Sequence, residues 1–248
     1  MAVAIDLTGR VALVTGAGAG IGRATSLRLA EAGATVWVTD LDLRAAEEVA
    51  ATFGGIPLRL DVSDPDAITQ AASEVGCIDI LVNNAGFDYN AHISQTPLQD
   101  WIRVHDTHLR GMFLVTQAFA PNLAPGASVV MMASVHGLCT EGGQAAYASA
   151  KAGILGLTRA LAIDLGPQVR VNAIAPGYIE TRLMDAWLAG LEDPEPMRER
   201  IRQIHPLGRW GQPSEVADAV LYLASPLSSF VTGSTLVVDG GMITQFPF

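Results

Sequence analysis

Tyr147 and Lys151 stand four residues apart in a stretch rich in Ala, Gly and Leu that reads as a buried helix from Tyr147 to Leu161. An i,i+4 spacing puts a phenol and an ammonium on one helical face, close enough to couple. A free phenol titrates near pH ~10, too high for proton transfer at neutrality, and a fixed cation beside it favours the phenolate. The pair therefore reads as a general acid/base, Tyr147, with Lys151 as its tuner. A count supports the lysine: Lys and Arg together number 15, and Lys151 is the sole lysine. Arginine is planar and permanently charged, whereas lysine is a compact charge with a tunable pKa. Ser134 lies thirteen residues before Tyr147, after an apolar run. Its hydroxyl could hold a substrate oxygen against the phenol, or simply form a strand-end turn.

A second constellation lies near the N-terminus. The apolar run Arg10 to Thr15 is typical of a parallel strand buried on both faces, and Arg23 to Ala32 reads as an amphipathic helix stopped by Gly33. Between them lie Gly16, Gly20, Ile21 and Gly22, in the spacing G-x-x-x-G-x-G. A glycine turn between strand and helix is an anion site, because free backbone amides and the helix dipole face the loop. Gly16 suits the tight turn, Gly20 the close approach of a pyrophosphate, and Gly22 the packing of helix on strand. The next strand, Thr35 to Thr39, ends on Asp40, eighteen residues past Gly22. A carboxylate there accepts both ribose hydroxyls of an adenosine and repels a 2′-phosphate. No arginine occupies position 19 or 41, and Arg44 sits one helical turn further on. NAD is favoured over NADP. The competing reading makes Asp40 a turn residue, with Asp42 capping a helix from Leu43.

These residues need elements to hold them, and the pattern supplies them. Strands are expected at Pro57–Leu60, Ile80–Val82, Ser128–Ala133 and Val169–Ile174, alternating with helical segments. That is the βαβ pattern of a doubly wound α/β fold, in which ligands bind beyond the carboxyl ends of the strands. Asp61 and Val62 follow the third strand, and Asp61 either holds an adenine amino group or caps the next helix. Asn83-Asn84-Ala85-Gly86 closes the fourth, where Asn side chains tie strands together and Gly86 leaves room for a flat ring. Leu98 to Phe119 reads as one long helix that carries His108. The remaining composition bounds the class. The 248 residues suit one domain, and a net charge of −10 argues against nucleic acid or an anionic membrane surface as partner. No apolar run is long enough for a membrane helix, no leader sequence is evident at Met1–Arg10, and no metal-ligand spacing occurs. Cys77 and Cys139 lie in dissimilar surroundings, which fits a reducing cytosol.

Taken together, the residues resemble the short-chain dehydrogenase/reductase family over nearly the whole chain. The matching pieces are Thr15-Gly16-x-x-x-Gly20-x-Gly22, Asp61-Val62, Asn83-Asn84-Ala85-Gly86, Ser134, Tyr147-x-x-x-Lys151 and Pro176-Gly177-x-Ile179-x-Thr181. Gly208-Arg209-Trp210-Gly211-Gln212-Pro213-x-Glu215-Val216-Ala217 and Val238-Asp239-Gly240-Gly241 match as well. The resemblance implies a single Rossmann-type domain with a parallel sheet of about seven strands. It implies hydride transfer between a nicotinamide and a secondary alcohol or ketone. Tyr147 would pass the proton, Lys151 would lower its pKa and bind the nicotinamide ribose, and Ser134 would orient the substrate oxygen. The backbone at Ile179 and the Thr181 hydroxyl would hold the nicotinamide amide, with Asn83, Asp61 and Val62 also at the cofactor. One position departs: where the family has a relay Asn before L-x-G, this chain has His108-Leu109-Arg110-Gly111. His108 either holds a relay water and adds a pH dependence near neutrality, or is a core histidine.

A charge-rich segment at 181–206 resembles the family's mobile lid, with Met184, Trp187, Leu188 and Leu191 at helical spacing. His136, Gln144, Tyr178 and Trp187 are expected to line the substrate pocket, with Tyr89 beside them. The stretch Ser134-Val135-His136-Gly137-Leu138 is similar to 3-hydroxybutyrate dehydrogenases, yet no arginine is evident as a carboxylate clamp. Hydroxy acid, sugar or polyol, and cyclic alcohol all stay open. Related proteins form tetramers through two long helices. The surface of Ala148, Ala152, Leu155 and Ala162 and the apolar tail Phe246-Pro247-Phe248 are compatible with a homotetramer. The alternatives are a 3-oxoacyl thioester reductase and a non-catalytic NAD-sensing regulator.

Overall fold

The computed structural model describes residues 5–181, 184 and 188–244. Seven short runs of apolar residues form β1 (Val11–Thr15), β2 (Thr35–Asp40), β3 (Ile56–Arg59), β4 (Ile78–Asn83), β5 (Leu123–Met132), β6 (Arg170–Pro176) and β7 (Thr235–Val238). They pair in the order β3-β2-β1-β4-β5-β6-β7, and every pairing is parallel. Parallel strands need helical crossovers, so both faces are covered and the central strands carry mostly apolar sequence. Leu13, Leu81, Val129, Val130 and Ile174 are fully buried, which makes β1, β4, β5 and β6 the core of the molecule.

The crossovers are α1 (Gly20–Glu31), α2 (Leu43–Ala51), α3 (Pro65–Val75), α4 (Leu98–His105), α5 (Gly111–Phe119), α6 (Ala145–Asp164), α7 (Glu195–Ile204) and α8 (Pro213–Ala224). α1 and α8 pack together over one face, while α3, α5 and α6 cover the other. Local chemistry sets their starts. Asp42 caps α2 by accepting from the Arg44 amide at 3.0 Å, and Asp64 caps α3, which carries Pro65 in its first turn. Gln212 and Glu215 form a reciprocal capping box on α8. α1 is different, since Ala19 at its start offers no side-chain cap.

Strand order reverses between β1 and β4, so the loops after those strands diverge and leave a crevice at the carboxyl edge. Two expectations need correction. The expected Leu98–Phe119 helix is interrupted at Asp106–Arg110 by one wider turn with i→i+5 bonding, a feature that often marks functional sites. On α6, Leu155 and Ala162 are buried against the body of the chain rather than facing out. The side that lies on β5 and β6 takes positions 154, 155, 158 and 162, which leaves Ala152 and Ile163 outward. Above the crevice, Leu188, Ile201 and Trp210 form a small separate apolar cluster with Tyr178, Met184, Leu191 and Met197. Trp187 and the tail residues 246–248 lie outside the described residues.

Candidate active site

The crevice is a single cavity of about 810 Å³ that runs from the start of α1, past Asp40, to Tyr147 and Met184. Its floor at one end is the glycine turn. Gly16 and Gly20 have φ of +62° and +51°, values L-residues avoid. A Cβ at Gly16 would lie 2.7 Å from the Ala85 Cα, so the β1 and β4 loops touch there. Gly22 packs directly on the Gly16 carbonyl, leaving Ile21 to line the cavity. With no side-chain cap on α1, its first amides face the crevice, a ready site for an anionic group. Thr15 and Asn84 fasten this turn. The Thr15 Oγ1 accepts from the amides of Asn84 and Ala85, both at 3.0 Å. The Asn84 side-chain amide donates to the carbonyls of Thr15 and Gly16, each at 3.0 Å.

Asp40, at the tip of β2, accepts from the Gly18 amide at 2.9 Å and the Asp42 amide at 3.0 Å. These two bonds fix the carboxylate against the turn and leave it further acceptor capacity toward the cavity it lines. Asp42, not Asp40, caps α2. Asp61 accepts from the amide and hydroxyl of Ser63, at 2.9 and 2.6 Å, while Asp64 caps α3. Asp61 and Val62 both line the cavity. The adenosine and pyrophosphate of a dinucleotide suit this half of the crevice. Glycines hold the backbone where side chains would intrude, a helix start is left uncapped, and a carboxylate stands at the strand tip.

Asn83 is the exception among the expected cofactor residues. Its side chain turns away from the crevice, donating to the Thr116 hydroxyl at 2.9 Å and to the Met131 sulfur at 3.3 Å. Successive strand residues point to opposite faces, so the neighbour, Asn84, takes the crevice side. Ile179 and Thr181 do line the cavity. Their segment is held by a parallel bridge between Ile179 and Gly211, with the Glu180 amide donating to the Gly211 carbonyl at 2.8 Å. Arg209 grips Glu215 at 2.8 and 2.6 Å, which holds the Glu215 carboxyl down to about 2 and fastens the loop carrying Gly211. Sequence reasoning matched this motif without seeing that it props Ile179.

At the other end, Ser134, Tyr147 and Lys151 come together from the tip of β5 and the first turns of α6. The Lys151 ammonium donates to the Met132 carbonyl at 2.8 Å and sits 5.4 Å from the centre of the Tyr147 ring. Burial holds Lys151 down to about 7. Burial also raises the Tyr147 phenol above its ordinary value, Asp88 adds to the rise, and the Ser134 hydroxyl opposes it. The direction is opposite to the one the Tyr–Lys spacing suggested. Taking a phenolate out of water is the dominant cause.

His108 occupies the wide turn between α4 and α5 and is 1% exposed. Its Nε2 accepts from the Phe87 amide at 3.2 Å, which puts the proton of the neutral ring on Nδ1. That Nδ1 has no partner among the described residues. The ring stands edge-on to Tyr147 at 5.3 Å and fills the space over Gly86, where a Cβ would meet its Cε1 at 2.5 Å. Burial, reinforced by the charge of Lys151, holds His108 down to about 2. It is neutral at any working pH, so the pH dependence expected of an imidazole here is not available.

Around Tyr147 the structure gathers further groups. His136 stands edge-on to Tyr147 at 5.8 Å, and its amide donates to the Ser134 hydroxyl at 3.2 Å. Gln144, at the start of α6, is buried and lines the cavity, and its Oε1 has no partner among the described residues. The Tyr178 hydroxyl donates to Glu141 at 2.9 Å. Tyr89 turns aside to Asp100 at 3.2 Å. Asp88, Glu141 and Arg103 also line the cavity, and none was singled out from the sequence, because they sit on loops and a helix of separate elements.

A doubly wound parallel sheet with a nucleotide-shaped crevice and a phenol–amine pair beside it defines a dinucleotide-dependent oxidoreductase. Comparison with known proteins narrows the class. A family model described as Enoyl-(Acyl carrier protein) reductase matches residues 16–243. The chain is 40% identical to the 3-oxoacyl-[acyl-carrier-protein] reductase FabG of Thermotoga maritima, over 96% of this chain and 99% of the relative. It is 36% identical to the (3R)-3-hydroxyacyl-CoA dehydrogenase of Canis lupus familiaris, over 98% and 99%. Among solved structures, the short-chain glucose/ribitol dehydrogenase of Brucella melitensis superposes with a TM-score of 0.90 at 32% identity, covering 97% of this chain and 99% of that one. The chain belongs to the short-chain dehydrogenase/reductase family, whose members are nicotinamide-linked oxidoreductases acting on small molecules.

Proposed function

We infer that the chain interconverts a secondary alcohol and a ketone with NAD. The observation that carries this is one continuous crevice, with an uncapped helix start and Asp40 at one end and Ser134, Tyr147 and Lys151 at the other. Bound across it, the nicotinamide would supply or accept the hydride. Ser134 holds the substrate oxygen toward Tyr147, and Tyr147 gives or takes the proton at that oxygen. Lys151 is an amine able to hold ribose hydroxyls and to share a proton with its surroundings, since burial has brought it down to about 7. His108, neutral and with an Nδ1–H that has no partner among the described residues, stands where the family has its relay residue and offers a donor there at every working pH. Groups already in place around a developing alkoxide stabilise it without reorganisation.

NAD is favoured by Asp40 and by the cations present. Among the described residues lining the cavity the one guanidinium is Arg103, whose Cζ lies over the Phe87 ring at 4.8 Å, far along the chain from the Asp40 end. The segment 181–206 is read as a lid whose apolar seat is Leu188, Ile201 and Trp210. Exposed Trp101 and Phe113 on α4 and α5, with Ile163 on α6, suit burial in a homotetramer. Exposed, unpaired Cys77 and Cys139 suit a reducing, cytoplasmic setting, and no described helix is long and apolar enough to cross a membrane.

The relatives favour a second reading, a 3-oxoacyl thioester reductase. A regulator that binds NAD without turnover has no use for a buried lysine beside a phenol. The test is reduction of NAD and, separately, NADP by the purified protein across hydroxy acids, polyols, cyclic alcohols and 3-hydroxyacyl thioesters. Turnover with NAD on a free alcohol supports this reading. Turnover confined to NADP, or to thioesters, would replace it with the second.

A further inference from the structure

Resting on that reading, the substrate end of the crevice points to a class of alcohol. Three loops meet there. The Ala91 amide donates to the Gly143 carbonyl at 2.9 Å, which joins the loop after β4 to the loop after β5. Tyr178, after β6, joins the same loop through Glu141 at 2.9 Å. The groups these loops and α6 present around Tyr147 are mostly acceptors. Asp88 and Glu141 are carboxylates, and Gln144, which lines the cavity, has a buried Oε1 with no partner among the described residues. A buried acceptor left unpaired is costly unless a ligand supplies the donor.

Charge narrows the ligand further. Arg103 also lines the cavity, but its guanidinium lies over the Phe87 ring at 4.8 Å and reaches toward Asp100 at 3.9 Å. Lys151 spends one N–H on the Met132 carbonyl. His136 faces both acids, and burial keeps it below its ordinary pKa, toward the neutral form. Burial also raises the Asp88 carboxyl, with Glu141 adding to the rise. An anion entering here meets two carboxylates, and the one guanidinium among the described lining residues, Arg103, stands over the Phe87 ring beside Asp100. A lone ammonium would satisfy one acceptor, whereas these acceptors come from two segments, the loop after β4 and the loop that leads into α6. Several hydroxyls on one carbon chain match that spread.

We propose that Asp88, Glu141 and Gln144 form an acceptor-rich subsite beside Tyr147 that selects a neutral polyhydroxylated substrate, a sugar or polyol, over hydroxy acids and coenzyme A thioesters. The subsite hydroxyls donate to the three acceptors while the reacting carbinol lies between Ser134 and Tyr147.

The experiment compares kcat and KM with NAD for ribitol and glucose, for 3-hydroxybutyrate and 3-hydroxybutyryl-CoA, and for cyclohexanol as an uncharged reference. It is run on the native chain and on the Asp88→Asn/Glu141→Gln double variant, with NAD affinity and melting temperature measured to confirm that the variant is folded. A sugar or polyol should exceed either anion by about tenfold or more in kcat/KM. In the double variant its KM should rise about tenfold with kcat little changed, and its advantage over the anions should shrink. Best turnover on 3-hydroxybutyrate, its coenzyme A thioester or cyclohexanol overturns the subsite while the alcohol dehydrogenase reading stands. A folded double variant with unaltered polyol KM overturns it too. No turnover of any of these alcohols, with NAD bound, overturns both.

Discussion

At the scale of single residues, two buried basic groups each make stability rise with pH, in different windows that can be measured. Lys151 in the folded chain titrates near 7, well below an exposed lysine, because its ammonium is buried. Between that value and the unfolded value of about 10.4 the unfolded chain holds more protons, so stability rises with pH across this window. Lys151→Met should remove that slope, raise the melting temperature most at and below pH 7, and abolish turnover; melting curves at several pH values check it. A Lys151→Met protein melting below the native chain at pH 7 would contradict the account of the lysine as a destabilising functional group. His108 has its pKa depressed to about 2 against an unfolded value of about 6.5. Stability is therefore complete above about 6.5 and falls as pH drops toward 2, since only the unfolded chain takes the proton. His108→Asn should make acid unfolding less steep and leave the pH profile of kcat unchanged in shape between pH 6 and 9. A kinetic pKa near 6.5 that vanishes in His108→Asn would show instead that the imidazole titrates during turnover. This environment was not legible in the sequence. Position 108 was, through its spacing to Gly111, but the Phe87 amide and the lid of ring over Gly86 come from a strand-end loop that local pattern does not connect to α4.

At the scale of elements, the β1–α1 turn was legible because glycine spacing encodes backbone geometry directly. Gly16 needs both a positive φ and the absence of a Cβ next to Ala85. Gly16→Ala should cost about 1–3 kcal/mol of stability and weaken NAD binding, measured by thermal melting and fluorescence titration. Asp40 was legible too, as the last residue of a strand. Asp40→Ser should weaken NAD by about tenfold and narrow the preference over NADP, because it removes an acceptor and a repulsive charge together. Unchanged NAD affinity in that variant would move the adenosine elsewhere. The choice between Asn83 and Asn84 was not legible. A strand end uncertain by one residue inverts which side chain enters the crevice. The props behind Ile179, Gly211 with Arg209 and Glu215, were visible as motif residues, but their target lies some thirty positions away in the chain.

At the scale of the whole molecule, alternation of apolar runs and helical segments was enough to forecast a doubly wound sheet, since parallel strands leave few other solutions. The substrate end was least legible, because Asp88, Arg103 and Glu141 come from three segments that only the sheet brings together, although Tyr178 beside them was expected from the sequence. Assembly belongs at this scale as well. Trp101, Phe113 and Ile163 are 40%, 42% and 80% exposed, which is costly for large apolar side chains unless a neighbour covers them. Light scattering should give about four times the 26.0 kDa chain mass. Phe113→Asp should lower that mass without unfolding the protomer, and a native mass of one chain would remove the tetramer.

The central claim is that Tyr147 moves the proton in a reaction the bound nicotinamide makes possible, and Tyr147→Phe tests it most directly. The variant deletes one oxygen and keeps the ring that packs against His108 and His136. Single-turnover and steady-state rates with NAD and the best alcohol, alongside NAD affinity, should show kcat reduced by about a thousandfold or more while NAD binds within about threefold of the native chain. A variant that turns over at the native rate would contradict the account, because the proton would then have to leave by another group.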